Sequence, residues 1–172
     1  MNETRGFIYN FTGNGKGKTS AAFGVTLRAL GWGWRVAVLQ FMKGDRDTGE
    51  RLFFRKYFPG ILFEDLGLGR SCKSGDHAAY ARAGWRRAAG LLQTFEGELL
   101  VLDELNVALG KGYLDLNEVL AALRGRRAGL NVIVTGRYAP PEMLELADLV
   151  SSVEEVKHPF RIGIPAQKGL DF

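Results

Sequence analysis

The chain has 172 residues, 46% hydrophobic and 24% charged, a balance that suits one folded domain and excludes a disordered or fibrous chain. The formal net charge of +4 favours anionic ligands but is too small to argue for a nucleic-acid partner, and none is expected. A single cysteine, Cys72, excludes an internal disulfide; no apolar run is long enough to span a membrane; and the polar start Met1-Asn2-Glu3-Thr4-Arg5 is unlike a signal peptide, so a cytoplasmic location is expected.

The first element is a β-prone run, Phe7-Ile8-Tyr9-Asn10-Phe11. It meets Thr12-Gly13-Asn14-Gly15-Lys16-Gly17-Lys18-Thr19, which opens into a helix through Ser20-Ala21-Ala22 and on to about Leu30. Gly31 and Gly33 supply its stop signal. Strand, glycine-rich turn and helix in that order are the context of a phosphate-binding P-loop. Glycines let backbone N–H groups close on an anion, and the helix start adds its unpaired donors and positive dipole end. Lys18 supplies a positive charge from the surface of the empty site, and the Thr19 hydroxyl can ligate magnesium. Thr12 stands where the general pattern has its first glycine. A glycine-rich turn with no ligand is the alternative.

Residues 35–41 read as a buried parallel strand, 50–58 as a helix closed by Pro59-Gly60, and 61–66 as a third strand. Gly67 to Gly75 is the least regular stretch, expected to be a functional or mobile loop. A long helix follows from about Asp76 to Phe95, with Ala78, Ala81, Trp85, Ala88, Leu92 and Phe95 on one stripe and Arg82, Arg86 and Arg87 mostly off it. Trp85 reads as core, with ligand contact as the alternative, and the arginines as a solvated face.

Residues 98–103 form the next strand. It ends Leu99-Leu100-Val101-Leu102-Asp103-Glu104, like a Walker B strand end. In a doubly wound sheet the ligand crevice lies at the carboxyl ends of the strands, so Asp103 and Glu104 point at the P-loop, where a carboxylate can hold magnesium or its waters. Asp115 caps a helix with Glu118 as its capping-box partner, and that helix ends in Arg124-Gly125-Arg126-Arg127, cations that complement a helix C-terminus. Residues 131–135 are another buried strand, ending in Gly136-Arg137. Arg137 has two readings, a phosphate ligand or an ion pair with a nearby acid. A short helix from Pro140-Pro141-Glu142 runs to Ala147, residues 148–153 read as a last core strand, and the tail from Val156 to Phe172 as irregular. His77 and His158, the only histidines, have no neighbour at metal-ligand spacing, and Cys72 near His77 is weak evidence for a catalytic pair. Alternating strands and helices give an α/β fold, a single domain with a mostly parallel sheet and helices on both faces.

The P-loop with Ser20-Ala21-Ala22-Phe23-Gly24 resembles that of the bacterial ATP:corrinoid adenosyltransferases, in which Thr12 is the family's own form. The likeness continues through Arg28-Ala29, Gln40-Phe41-Met42-Lys43-Gly44, Gly49-Glu50-Arg51, Val101-Leu102-Asp103-Glu104-Leu105, Thr135-Gly136-Arg137, Val156-Lys157-His158-Pro159-Phe160 and Ala166-Gln167-Lys168-Gly169-Leu170-Asp171-Phe172. It implies a RecA-like P-loop fold, a homodimer, and transfer of the 5′-deoxyadenosyl group of ATP to the Co(I) centre of a corrinoid, with a reductase supplying Co(I). Gly13, Asn14, Gly15, Lys16, Gly17, Lys18, Thr19 and Ser20 would then cradle the triphosphate. Thr19 and Glu104, with Asp103, match the positions for magnesium or manganese, and Arg28 and Arg137 fall on the polyphosphate side. Two departures stand out. The chain starts almost at the first strand, so the lid that some members build from an N-terminal segment is expected to differ. Leu68-Gly69-Arg70-Ser71-Cys72 replaces an aromatic segment that fills the lower corrin face, which makes Leu68 the candidate apolar wedge. A small-molecule kinase or other P-loop ATPase, and a non-enzymatic nucleotide or corrinoid carrier, are the competing readings.

Overall fold

The structure is a computed structural model that describes residues 5–42, 44, 47–68 and 75–172. Cys72, Lys43 and residues 69–74 of the irregular loop lie outside the described residues. Six strands make one parallel sheet in the order β3-β2-β4-β5-β1-β6. They are β1 (Ile8–Thr12), β2 (Val36–Gln40), β3 (Leu62–Asp65), β4 (Leu99–Asp103), β5 (Asn131–Thr135) and β6 (Leu149–Ser152). The helices between them are α1 (Lys18–Gly31), α2 (Gly49–Tyr57), α3 (His77–Thr94), α4 (Leu105–Gly110), α5 (Leu116–Arg124) and α6 (Pro141–Leu146), and a 3-10 turn, Pro159–Ile162, interrupts the tail.

Strand side chains alternate, so the central strands feed two cores. Ala37, Leu39, Leu100, Leu102, Val132 and Val134 pack with α3, α4, α5 and Met143 of α6. Val36, Val38, Leu99, Val101 and Ile133 pack with Ala22, Phe23 and Ala29 of α1 and Phe54 of α2. Every residue of β2 and β4 is buried, as a parallel sheet covered on both faces requires.

Several expectations need correction. Residues 148–153 do not make a core strand. Among the described residues β6 pairs only with β1, at one edge of the sheet, and all four of its residues are exposed. Asp115 does cap α5, its Oδ1 accepting from the Glu118 N–H at 2.9 Å, but the Glu118 carboxylate is not the reciprocal half of a capping box. It accepts from Trp85 Nε1 at 2.8 Å and so satisfies the one polar atom of a buried indole. Arg126 and Arg127 do more than complement the end of α5. Arg126 donates to the carbonyls of Leu123, Leu130 and Gly6, and Arg127 to those of Phe95, Ala128 and Gly97. Arg87 is not simply solvated, since it pairs with Glu64 at 2.7 Å. The helix α4 has no counterpart in the sequence reading, because six residues are too few to display a period.

Candidate active site

The P-loop closes because its glycines sit where the backbone needs them. Gly13 and Gly17 have φ of 92 and 116, a region that penalises a side chain. A Cβ on Gly15 would fall 2.4 Å from the Glu154 carbonyl oxygen. Thr12 is still part of extended β1, so it needs no such freedom. Its carbonyl accepts from the Val153 N–H at 2.9 Å, and the Gly15 N–H donates to the Val153 carbonyl at 2.7 Å. The loop is therefore seated on the segment that follows β6.

Beneath the loop lies a buried polar girdle. Asp103, at the end of β4, is fully buried. Its Oδ1 accepts from the hydroxyls of Thr19 at 2.8 Å and Thr135 at 2.6 Å, and its Oδ2 from Gln40 Nε2 at 2.8 Å. The Thr135 oxygen accepts in turn from the Glu104 N–H at 3.0 Å. Asn106 Nδ2 donates to Asn10 Oδ1 at 2.8 Å and to the Gly136 carbonyl at 3.2 Å. Three strand ends, the middle of β1 and two helix starts are tied together below the site. Glu104 has φ 64 and ψ 16, a left-handed conformation that costs a non-glycine residue about 1–2 kcal/mol.

Above the girdle opens a cavity of about 810 Å³. Gly15 to Ser20, Glu104 and Arg137 line its centre, Met42, Gly44 and Thr48 to Glu50 line another part, and His158, Ala166 and Gly169 to Phe172 complete the wall. Lys18 is not on the surface of this site as expected. It is 7% exposed, and its Nζ donates to the Gly15 carbonyl of its own loop. Burial holds the Lys18 ammonium below the ordinary lysine range; the Glu104 carboxylate opposes that shift, the Arg137 guanidinium adds to it, and Asp103 opposes it.

The remaining site candidates divide. Arg137 is exposed and lines the cavity, and no ion pair of it is found among the described residues. Lys16 pairs with Asp171 of the tail. Asn14 is exposed, and a Cβ on Gly13 would meet the Val153 backbone; neither residue lines the cavity. Arg28 stands apart from the P-loop cavity of its own chain. It lies ten residues beyond Lys18 on α1, about 15 Å along the axis, and lines a separate cavity of about 380 Å³ with Phe7, Tyr9, Trp32 and Trp34. Leu68 follows β3 at the far edge of the sheet and lies over Gly75, outside the cavity lining.

Sequence reasoning assigned no role to the tail wall or to the girdle residues Asn10, Gln40, Asn106 and Thr135. A signal for three of them was available. Asn10, Gln40 and Thr135 are polar residues in strands that are mostly apolar, and a buried polar group needs partners.

The donors facing the cavity fit magnesium. Thr19 and Glu104 offer hard oxygens, and the Thr19 oxygen can ligate while its O–H still donates to Asp103. No cluster of three or more His, Cys, Asp or Glu able to hold a metal occurs among the described residues. No helix among the described residues is long and apolar enough to cross a membrane.

A KaiC-like protein from the archaeon Pyrococcus horikoshii OT3 superposes with a TM-score of 0.54 at 20% identity, over 89% of this chain and 74% of that one, a likeness of fold that agrees with a RecA-like P-loop domain. A corrinoid adenosyltransferase of Pseudomonas aeruginosa is 47% identical over 99% of this chain and 85% of its own length. The corrinoid adenosyltransferase CobA of Salmonella typhimurium is 40% identical over 99% of this chain and 87% of its own. The family model for the ATP:corrinoid adenosyltransferases BtuR/CobO/CobP matches residues 4–172, and with relatives of this identity spanning both chains, the protein belongs to that family.

Proposed function

We propose that the protein transfers the 5′-deoxyadenosyl group of ATP to the Co(I) centre of a corrinoid and releases triphosphate, in cobalamin synthesis or salvage. Cobalt(I) donates its electron pair to the ribose 5′ carbon, the bond from that carbon to its oxygen breaks, and the triphosphate leaves with the bonding pair. Co(I) is itself a strong nucleophile, so the protein has to orient the two reactants and stabilise the leaving charge. The observation that carries this reading is the convergence of Lys18, Thr19, Glu104 and Arg137 on one cavity at the carboxyl ends of β1, β4 and β5.

In this reading the backbone N–H groups from Gly15 to Ser20 receive the polyphosphate. Lys18 exchanges the Gly15 carbonyl for a phosphate oxygen, which restores its charge to a partner. Arg137 meets the same polyphosphate from the end of β5. Thr19 and Glu104 would hold magnesium, which supplies further neutralisation of the leaving triphosphate. Asp103 keeps the Thr19 hydroxyl oriented, because its carboxylate is itself held by Gln40 at the end of β2 and Thr135 at the end of β5. Cobalt must arrive as Co(I), so a separate reductant belongs to the proposal, as do a homodimer and a cytoplasmic location.

The test uses the β,γ-imido analogue of ATP. In a kinase or ATPase the β–γ bridge breaks and the analogue is inert. Here the bridge is a spectator. With chemically reduced corrinoid under anaerobic conditions, the analogue is expected to yield the adenosylated product and release imidotriphosphate. Formation of ADP from ATP without corrinoid, with no Co–C bond from the analogue, would place the chemistry at the γ-phosphate instead.

A further inference from the structure

We propose that Gly110 and Tyr138 are positioning residues, which set Arg137 for the reaction by clamping the turn after β5 against α4. This rests on the reading of Arg137 as a polyphosphate ligand. Among the described residues only two that are not glycine have positive φ, Glu104 at 64 and Tyr138 at 66. They stand at the two ends of the same short helix. Glu104 precedes α4, and the backbone of Tyr138 lies against Gly110 at its last turn.

The contact at the C-terminal end tolerates no side chain on the helix. A Cβ on Gly110 would fall 2.4 Å from the Tyr138 Cβ and 2.9 Å from the Tyr138 carbonyl oxygen. A second contact fixes the start of the turn. Gly136 has φ 127, and a Cβ there would lie 3.1 Å from both the Asn106 Cβ and the Val107 nitrogen, while Asn106 Nδ2 donates to the Gly136 carbonyl at 3.2 Å. Arg137 sits between these two anchors. Tyr138 is 59% exposed, so burial of its ring does not explain why it holds a left-handed backbone. A strained residue persists only where its surroundings over-determine it. Here the surroundings are α4, whose other end carries Glu104 into the same cavity. The helix thus fixes the spacing between the carboxylate and the guanidinium that flank the polyphosphate.

The test is a double-mutant cycle on the full chain with magnesium, ATP and chemically reduced corrinoid, reading kcat, the KM for ATP and the melting temperature. Gly110→Ala is expected to lower kcat by roughly tenfold, since misplacing a reacting group by about an ångström carries a penalty of that order or more. Adding Gly110→Ala to Arg137→Ala is expected to cost nothing further in kcat, because both remove the same positioned group. Tyr138→Gly provides a second arm, should the alanine variant fail to fold. Glycine adopts the left-handed turn without strain but lacks the Cβ that lies against Gly110, so α4 no longer clamps the turn. That variant should melt no lower than the parent yet turn over more slowly, again without further loss beside Arg137→Ala. Losses that multiply across the cycle, or a Tyr138→Gly enzyme with parental kcat, would overturn the clamp while leaving Arg137 as a ligand. Full activity in Arg137→Ala alone would overturn the role of Arg137 and the clamp with it.

Discussion

Asp103 on the floor of the cavity and Asp171 on its rim are both carboxylates beside the P-loop, yet they are held in opposite ways. Asp103 is fully buried and takes three hydrogen bonds from Thr19, Thr135 and Gln40. Asp171 meets Lys16 with side chains that are 21% and 48% exposed, respectively, on a tail that lies over the loop. In the floor, low dielectric strengthens each bond and makes any unpaired donor costly. On the rim, water and salt compete for the same pair, and exposed pairs of this kind contribute about 0–1 kcal/mol. The floor is pre-organised before any ligand arrives; the rim is held by a pair that water and salt can screen.

The largest effect is expected from breaking the floor. Asp103→Ala leaves the Thr19, Thr135 and Gln40 donors without their acceptor and should cost about 3 kcal/mol of stability. Asp103→Asn keeps one acceptor for the two hydroxyls, and Gln40 can turn its amide to match, so chemical denaturation should show a clearly smaller loss. If both variants unfold at the parental denaturant concentration, the girdle is not what holds the strand ends.

Lys18 tests the boundary between floor and rim. Lys18→Met should lower turnover by roughly ten- to two-hundred-fold, the equivalent of about 1.5–3 kcal/mol of charge-assisted bonding. It should not lower the stability of the empty protein. Because burial holds the ammonium below its unfolded value, the unfolded chain binds more protons between the two pKa values, and the parent gains stability as pH rises through the lowered one. The methionine variant lacks that alkaline gain. The same shift means that polyphosphate binding takes up a proton at alkaline pH and weakens as pH rises. Calorimetry in buffers of different ionisation enthalpy reads the proton directly, and absence of uptake would remove Lys18 from the anion.

Glu104→Gln against Glu118→Gln compares an acid at the carboxyl end of β4 with one inside α5. Glu104 faces the cavity from a strained backbone, whereas Glu118 accepts from Trp85 between two helices. The first should reduce magnesium-dependent turnover; the second keeps an amide oxygen for the indole and should leave kcat near parental. The smallest effect is expected from Asp171→Asn, which should change stability by no more than about 0.5 kcal/mol, and by less still at high salt. A loss above 1.5 kcal/mol would show that the rim is built like the floor.

Much of this protein was legible in the chain itself. The P-loop, the four central strands, the long helix after Asp76 and the acids closing β4 are local patterns: apolar runs, caps and glycine turns whose causes lie within a few residues. Thr19, Glu104 and Arg137 could be assigned to one crevice because a parallel sheet brings its carboxyl ends together whatever the residues between. Tertiary structure alone decided the rest. It put Arg28 far along α1 from the P-loop of its own chain, turned β6 into an exposed edge, drew Glu118 away to Trp85 and buried Lys18 on its own loop. It also folded the tail over the P-loop and locked Gly110 against Tyr138. Each of these depends on which distant segment arrives within a few ångströms. Periodicity and capping carry no information about such encounters, because they record what a residue does to its neighbours in the chain and not what the fold brings to it.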